Sequence, residues 1–306
     1  MKGRILEILK EADNTVSGET IGSRLGISRV SVFKHIQKLR EYGYDIPSAP
    51  AGYRLLNEPD ILFHWGFPGR ETRIHYFREL GSTMDTARDL ARNGCPGFTV
   101  VIAETQTRGR GRLKRIWHSD DGGLYFTMVI RPQIPLALCW QINFAASLTL
   151  VKILSTEYGI EARLKWPNDV LFKGKKIAGM LSEVEAEADA LTYINVGLGV
   201  NVNNDVSPVE ETAVSIKAIL GKAVPRQRLL SAYLDAFEKR LDEGRLHETI
   251  PEWKRFSATL HRPVRIQTLQ ETVKGIAEDV DEDGALILRL KNGSKRRILY
   301  GDCFHR

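Results

Sequence analysis

The run Gln106-Thr107-Arg108-Gly109-Arg110-Gly111-Arg112-Leu113-Lys114-Arg115-Ile116-Trp117 puts five cationic side chains ahead of a tryptophan, with only two glycines to bend the backbone between them. Residues 98–103 before it and 124–130 after it are apolar and rich in β-branched and aromatic residues, so both read as strands. The fold must therefore be a sheet that presents a strongly basic loop at the ends of two of its strands. Glycines let backbone amides approach an anion closely, and each arginine offers a planar fork of donors that matches phosphate or carboxylate oxygens in pairs. From this stretch alone, a solvated loop lying on nucleic acid stays open as an alternative to an anion-binding site.

A length of 306 residues allows two or three domains with separate cores. Lys and Arg number 44 against 38 Asp and Glu, a net +6 that permits anionic partners without requiring them. Cys95, Cys139 and Cys303 are odd in number and far apart, which suggests neither a disulfide framework nor a zinc site. No apolar run is long enough to cross a bilayer and the start lacks a long apolar stretch, so we expect a soluble, cytoplasmic protein with no membrane partner.

At the N-terminus Ile5, Leu6, Ile8, Leu9 and Ala12 form one face of a helix. Ser17 is placed to cap a second helix that ends at Gly26, and Ser28 a third with Val32, Ile36 and Leu39 at helical spacing. This is a helix-turn-helix pattern. The third helix turns Arg29, Ser31, Lys34, His35 and Lys38 away from its apolar stripe, as reading a major groove requires. Residues 44–46 and 52–55 suggest the hairpin of a winged helix, and a protein-binding three-helix module is the alternative. The polar stretch Asn57-Glu58-Pro59-Asp60 sets a boundary at residue 60.

Beyond it, residues 72–77 alternate as a strand, and Ser82 or Thr83 can cap a helix over 84–93. Residues 136–158 read as a long core helix with Trp140 buried. In Lys165-Trp166-Pro167-Asn168-Asp169 a proline turn gathers a lysine, a carboxamide and a carboxylate, a group able to hold magnesium, a ribose or an amine, or simply to close an Asx-turn. A hairpin at Lys173-Gly174 delivers a strand whose alternation puts Lys176 on the face of Ala178, Met180 and Ser182. A lysine aimed inward needs an anion to meet it, which makes Lys176 the leading catalytic candidate. A strand over 193–200 ends in Asn201, and short strands separated by turns over 262–306 fit a small barrel.

The motifs Gln106-x-x-Gly-Arg-Gly-Arg112, Lys165-Trp-Pro-Asn-Asp169, Lys176-Ile-Ala-Gly179 and Gly197-x-Gly-x-Asn201, in that order behind a winged helix, resemble biotin protein ligases of the bifunctional repressor type over nearly the whole chain. The resemblance implies a multidomain α+β chain: a winged helix-turn-helix domain (1–60), a mixed α/β ligase domain related to class II aminoacyl-tRNA synthetases (61–261) and an SH3-like small β-barrel (262–306). It implies ATP-dependent activation of biotin to biotinyl-5'-AMP and transfer to one lysine of a biotin carboxyl carrier protein. By the same resemblance Arg110, Arg112, Lys176 and Asp169 are catalytic, and Ser82, Thr83, Met84, Gln106 and Gly111 join Arg110, Arg112 and Lys176 around biotin. Arg112, Trp117, Lys165, Asn168, Asp169, Asn201 and Arg306 face ATP, which brings Mg2+. The family commonly has asparagine where Met84 stands, and a pair such as Arg-Gly in place of Leu113-Lys114. A lipoate-type ligase and a biotin-sensing transcription factor without ligase activity are the alternatives. One winged helix reads few bases, so a homodimer formed on ligand binding is expected to engage operator DNA.

Overall fold

The computed structural model describes all residues except 13, 188, 189, 207–209 and 306. The chain divides into two compact units, Met1–Thr72 and Arg73–Arg306. The division falls later than the boundary expected at residue 60, because Phe63 and Trp65 stack on each other and pack on Tyr42, with ring centroids 4.8 and 5.6 Å from it.

The first unit contains α1 (Lys2–Glu11), α2 (Gly18–Leu25), α3 (Arg29–Glu41) and a ribbon of β1 (Ser48–Ala49) and β2 (Gly52–Tyr53). Ser17 and Ser28 cap α2 and α3, their hydroxyls accepting from Thr20 N and Ser31 N. Gly26 ends α2 in the left-handed conformation, which glycine adopts at least cost. The wing pairs Ser48 with Tyr53 and Ala49 with Gly52, so its strands are closer to the turn than the expected 44–46 and 52–55. Tyr44 and Ile46 are instead buried in the helical core. Arg40 holds the wing in place, donating to Ile46 O and Ser48 Oγ.

The second unit is built on a seven-stranded sheet ordered β3-β4-β5-β9-β8-β7-β6. Its strands are β3 (Ile74–Leu80), β4 (Thr99–Gln106), β5 (Leu124–Ile130), β6 (Arg163–Lys165), β7 (Asp169–Phe172), β8 (Lys175–Glu187) and β9 (Ala190–Val200). Among the described neighbouring strands of this sheet only β3 and β4 run parallel, and α4 (Thr83–Arg92) makes the connection between them. The basic loop leaves the end of β4, as expected for a loop between two strands. One face of the sheet carries α4. The other carries α5 (Cys139–Tyr158) and α7 (Arg226–Asp242), as seen in the Phe126–Tyr233 ring contact at 5.5 Å and the Ser182 Oγ donation to Asn143 Oδ1. Trp140 is 54% exposed and is not a core residue, since it starts α5 on the side turned away from the sheet. α6 (Ile216–Leu220), α7 and α8 (Thr249–Phe256) occupy a region for which no elements were expected.

The C-terminal strands β10 (Pro263–Gln267), β11 (Thr272–Val280), β12 (Leu286–Arg289), β13 (Lys295–Ile298) and β14 (Asp302–His305) form an antiparallel sheet ordered β13-β12-β11-β10-β14. It is fastened to the seven-stranded sheet by Trp166, whose indole N–H donates to Gly284 O at 2.9 Å and whose backbone N–H donates to Thr259 Oγ1 at 3.0 Å. That attachment brings Gly301 and Asp302 beside the basic loop.

Candidate active site

A cavity of about 560 Å³ opens on the α4 face, bounded by the start of α4, the basic loop, β8, β9 and β14. Its inner end is a chain of hydroxyls and one amide. Gln106 Oε1 accepts from Thr83 N at 2.8 Å and Thr83 Oγ1 at 3.2 Å, while its Nε2 donates to Ser119 Oγ at 2.8 Å. Thr127 Oγ1 donates to Thr83 Oγ1 at 2.8 Å. Ser82 holds the cap position of α4, yet its hydroxyl makes no capping bond and, among the described residues, is buried without a partner. A buried hydroxyl left in that state favours a ligand that supplies the missing bond. Met84 is buried over Gly197, where a Cβ would come within 2.6 Å of its sulfur. It therefore gives this end an apolar floor in place of the amide that asparagine would offer.

The outer end is cationic. A bulge interrupts the β7–β8 pairing, with Leu171 opposite Lys176 and Val170 opposite Ala178. The extra residue, Ile177, reverses the alternation, so Lys176 lies on the face of Gly179 and not, as expected, on that of Ala178, Met180 and Ser182. It still reaches the cavity, because that is the α4 face. Its ammonium is 2.7 Å from Asp169 Oδ1 and 5.0 Å from the Trp117 ring centroid. Lys165 approaches the other Asp169 oxygen at 3.8 Å across the β6–β7 pairing.

Arg112 donates to Asn168 Oδ1 and to Gly301 O, both at 3.2 Å, and Asn168 Nδ2 donates to Met180 O at 2.7 Å. Burial pushes the Arg112 guanidinium below its usual range, opposed by Asp302 and Asp169. Arg115 forms an ion pair with Asp302. Gly111 closes the loop turn by donating to Arg115 O, and Leu113 occupies the left-handed region at φ 52°, a conformation better suited to glycine. Trp117 lies flat on the sheet, where a Cβ on Gly199 would stand 2.3 Å from its indole. The two glycines of the Gly197-x-Gly motif thus make room for Met84 and Trp117.

Two expected residues are engaged elsewhere. Arg110 lines the cavity, but its guanidinium meets Asp85 at 2.9 Å and Glu183 at 3.0 Å, with Arg88 joining the same two carboxylates. The Asn201 carboxamide spends its bonds on the chain, donating to Lys176 O at 3.4 Å and accepting from Asn204 at 3.3 Å. Arg306 lies outside the described residues. Ser119, Thr127, Asp85, Glu183, Asp302 and His305 were not anticipated. Of these, only Asp302 and His305 carried a signal, in their nearness to the expected Arg306.

In the first unit Arg29, Lys34 and Lys38 are exposed on α3, and Lys38 pairs with Glu41 at 2.6 Å. Ser31 shares a hydrogen bond with the capping Ser28, and His35 is half-buried, its pKa lowered by burial and then by Lys2.

Three family models match along the chain: an HTH domain over residues 3–54, the biotin/lipoate A/B protein ligase family over 76–201 and the biotin protein ligase C-terminal domain over 259–306. The bifunctional ligase/repressor BirA of Bacillus subtilis is 35% identical over 95% of this chain and 95% of its own length. The chain belongs to the bifunctional biotin protein ligase family. The BirA of Escherichia coli is 30% identical over 89% of this chain and 87% of its own. Among solved structures, the biotin protein ligase of Aquifex aeolicus in complex with biotin and ATP has a TM-score of 0.65 at 28% identity, covering 76% of this chain and 98% of its own. The order of the three family matches is that of a helix-turn-helix unit ahead of a ligase body and its C-terminal sheet.

Proposed function

We propose that this chain joins biotin to ATP, releases pyrophosphate, and passes the biotinyl group of biotinyl-5'-AMP to one lysine of a biotin carboxyl carrier protein. Its N-terminal unit represses transcription from operator DNA in response to biotin. The observation that carries the ligase reading is the division of one cavity into a hydroxyl-lined inner end and a cationic outer end. A ligand with a polar ring and a carboxylate fits that order. Ser82, Thr83 and Gln106 meet the ring, Met84 packs beneath it, and Arg112 and Lys176 draw the carboxylate and the α-phosphate together against their repulsion. In the first step a carboxylate oxygen attacks phosphorus and pyrophosphate leaves. In the second, the neutral amine of the carrier lysine attacks the acyl carbon and AMP leaves, with Asp169 placed to orient that amine.

Lys165, Asn168, Asp169, Asn201 and Trp117 border the nucleotide in this reading, with Asn201 acting through the backbone it braces. Among the described residues no three His, Cys, Asp or Glu side chains converge to hold a metal. Asp169 pairs with Lys176 and approaches Lys165, so magnesium fits here as an ion carried on the phosphates, with Asp169 and Asn168 as its protein neighbours. Among the described residues no helix is long and apolar enough to cross a membrane, and action in the cytoplasm is proposed from the carrier substrate. Ligand-dependent homodimerisation would let two copies of α3 read a two-fold operator. Pyrophosphate release on mixing the protein with ATP and biotin, with lipoate as control, tests the ligase. Release with lipoate and not biotin would replace this reading with a lipoate ligase. Sedimentation with and without the two substrates tests the dimer.

A further inference from the structure

Among the large apolar residues exposed in the first unit, two lie together on the outward line of α3: Val30 is 64% exposed and Phe33 48%. They stand three residues apart in the first half of the helix, so their side chains are neighbours on one face. Gln37 follows one turn later on the same line. The inward line, Val32, Ile36 and Leu39, already supplies the core, so Val30 and Phe33 are not needed there. Arg29, Lys34 and Lys38 flank them, all exposed. Arg29 lies across Gly18 at the start of α2, with its Cγ 3.4 Å from where a Cβ on that glycine would be.

An apolar pair inside a fringe of cations, on the first half of the third helix of a helix-turn-helix, matches one ligand surface in particular. The major groove of duplex DNA offers negative phosphates on both sides and, on its floor, the C5-methyl group as the apolar feature of a thymine. The basic fringe disfavours an ordinary apolar protein groove, which has no such flanking anions. We infer that Val30 and Phe33 are specificity-determining residues that pack on thymine C5-methyl groups, so that the operator half-site carries thymines where the first half of α3 enters the groove. Gln37 suits the same steps, since a carboxamide can bond adenine at its N6 and N7 edge. The expected polar readers contribute less of the sequence preference: Ser31 is tied to Ser28, and Lys38 to Glu41. The inference rests on the operator-binding reading and adds the base chemistry that the helix recognises.

The test uses the full chain with biotin and ATP. Duplexes are first enriched by binding from a random pool, and each thymine of the enriched half-site is then replaced by deoxyuracil, which removes only the methyl. For the wild type, replacement at one or two positions should weaken binding about fourfold each, the equivalent of one buried methyl group. The Val30→Ala and Phe33→Ala chains should each bind the thymine duplex more weakly and lose the sensitivity at the thymine that the removed side chain packs on, and the chain carrying both substitutions should lose nothing further on any uracil duplex. Circular dichroism melting checks that these surface substitutions leave the unit folded. Insensitivity of the wild type to every replacement would overturn the inference while leaving DNA binding intact, as would equal sensitivity in wild type and variants. Failure to enrich or bind any duplex would instead remove the operator reading, and the inference with it. Should the variants then lose a protein partner, Val30 and Phe33 would belong to a protein interface.

Discussion

Lys176 and Asp169 meet at 2.7 Å across a bulged strand pair, so the lysine proposed to join the two substrates is held in place by the carboxylate proposed to orient the third. In the proposed reaction the two anions are further partners for the ammonium and would free Asp169 to meet the amine. Lys176→Ala should therefore lower pyrophosphate release by about 10³-fold, the scale for deleting one preorganised charge partner, with circular dichroism unchanged. Asp169→Asn should slow transfer to the carrier more than it slows adenylate formation, read by assaying the two half-reactions separately. Normal turnover by a folded Lys176→Ala chain would remove this lysine from the mechanism.

Arg110 is tied by Asp85 and Glu183 at the edge of the cavity, away from the Lys176 cluster. That position suits a clasp on the loop better than a partner of the reacting phosphate. Arg110→Gly should slow adenylate formation no more than about tenfold, the low end of the worth of one charged hydrogen bond. Escape of free biotinyl-adenylate should rise, detectable as biotin on bystander lysines. Glu183→Gln should show the same leak in milder form, whereas full retention of the intermediate in both variants would refute the clasp.

Beneath the site, Arg226 at the start of α7 donates to Glu104 of β4 at 2.6 Å and to Gly123 O at 2.8 Å, with both side chains almost wholly buried. Removing one member leaves a buried charge without its partner, so Arg226→Met should cost about 3–5 kcal/mol in urea unfolding. Replacing both, with Glu104→Leu added, should recover most of that loss, because a packed apolar pair has no charge to desolvate. Equal stability of single and double variants would show that the pair contributes through something other than its charge.

The sequence pattern exposed those parts of the site that depend on local chemistry. The helix-turn-helix followed from two serine caps and a glycine, and the basic loop from its neighbours' strand character. Lys176 was found for a partly mistaken reason. Strict alternation gave it the wrong face, since a one-residue bulge at Ile177 leaves no mark in a run of small and apolar residues. Trp140 was misplaced because helical periodicity near a helix start cannot tell which turn passes the sheet. Asp85, Glu183 and Asp302 contact the loop from distant elements, and such ion pairs come only from the tertiary arrangement. For Met84 and Trp117 the signal was present in Gly197 and Gly199, whose missing side chains are the space the two residues fill.

His305 lines the cavity at the end of β14, its Nε2 3.1 Å from Thr259 Oγ1. Burial, with Lys165 and Arg262 adding to it, lowers its pKa from 6.5 to about 4. Above pH 6.5 the imidazole is neutral both folded and unfolded, so its contribution to stability is complete there. Between 6.5 and about 4 the unfolded chain takes up a proton that the folded chain resists, and stability must fall as pH falls through that window. The loss attributable to this one group is at most about 3 kcal/mol, reduced by its partial contact with water. Carboxylates titrate over part of the same range, so the quantity to measure is a difference. Urea unfolding of wild type and His305→Gln at about pH 7.5 and about pH 4.5 should show the smaller drop in the variant, which has no proton to gain. Parallel drops in the two chains would mean that His305 is protonated in the fold and that the acid sensitivity arises elsewhere.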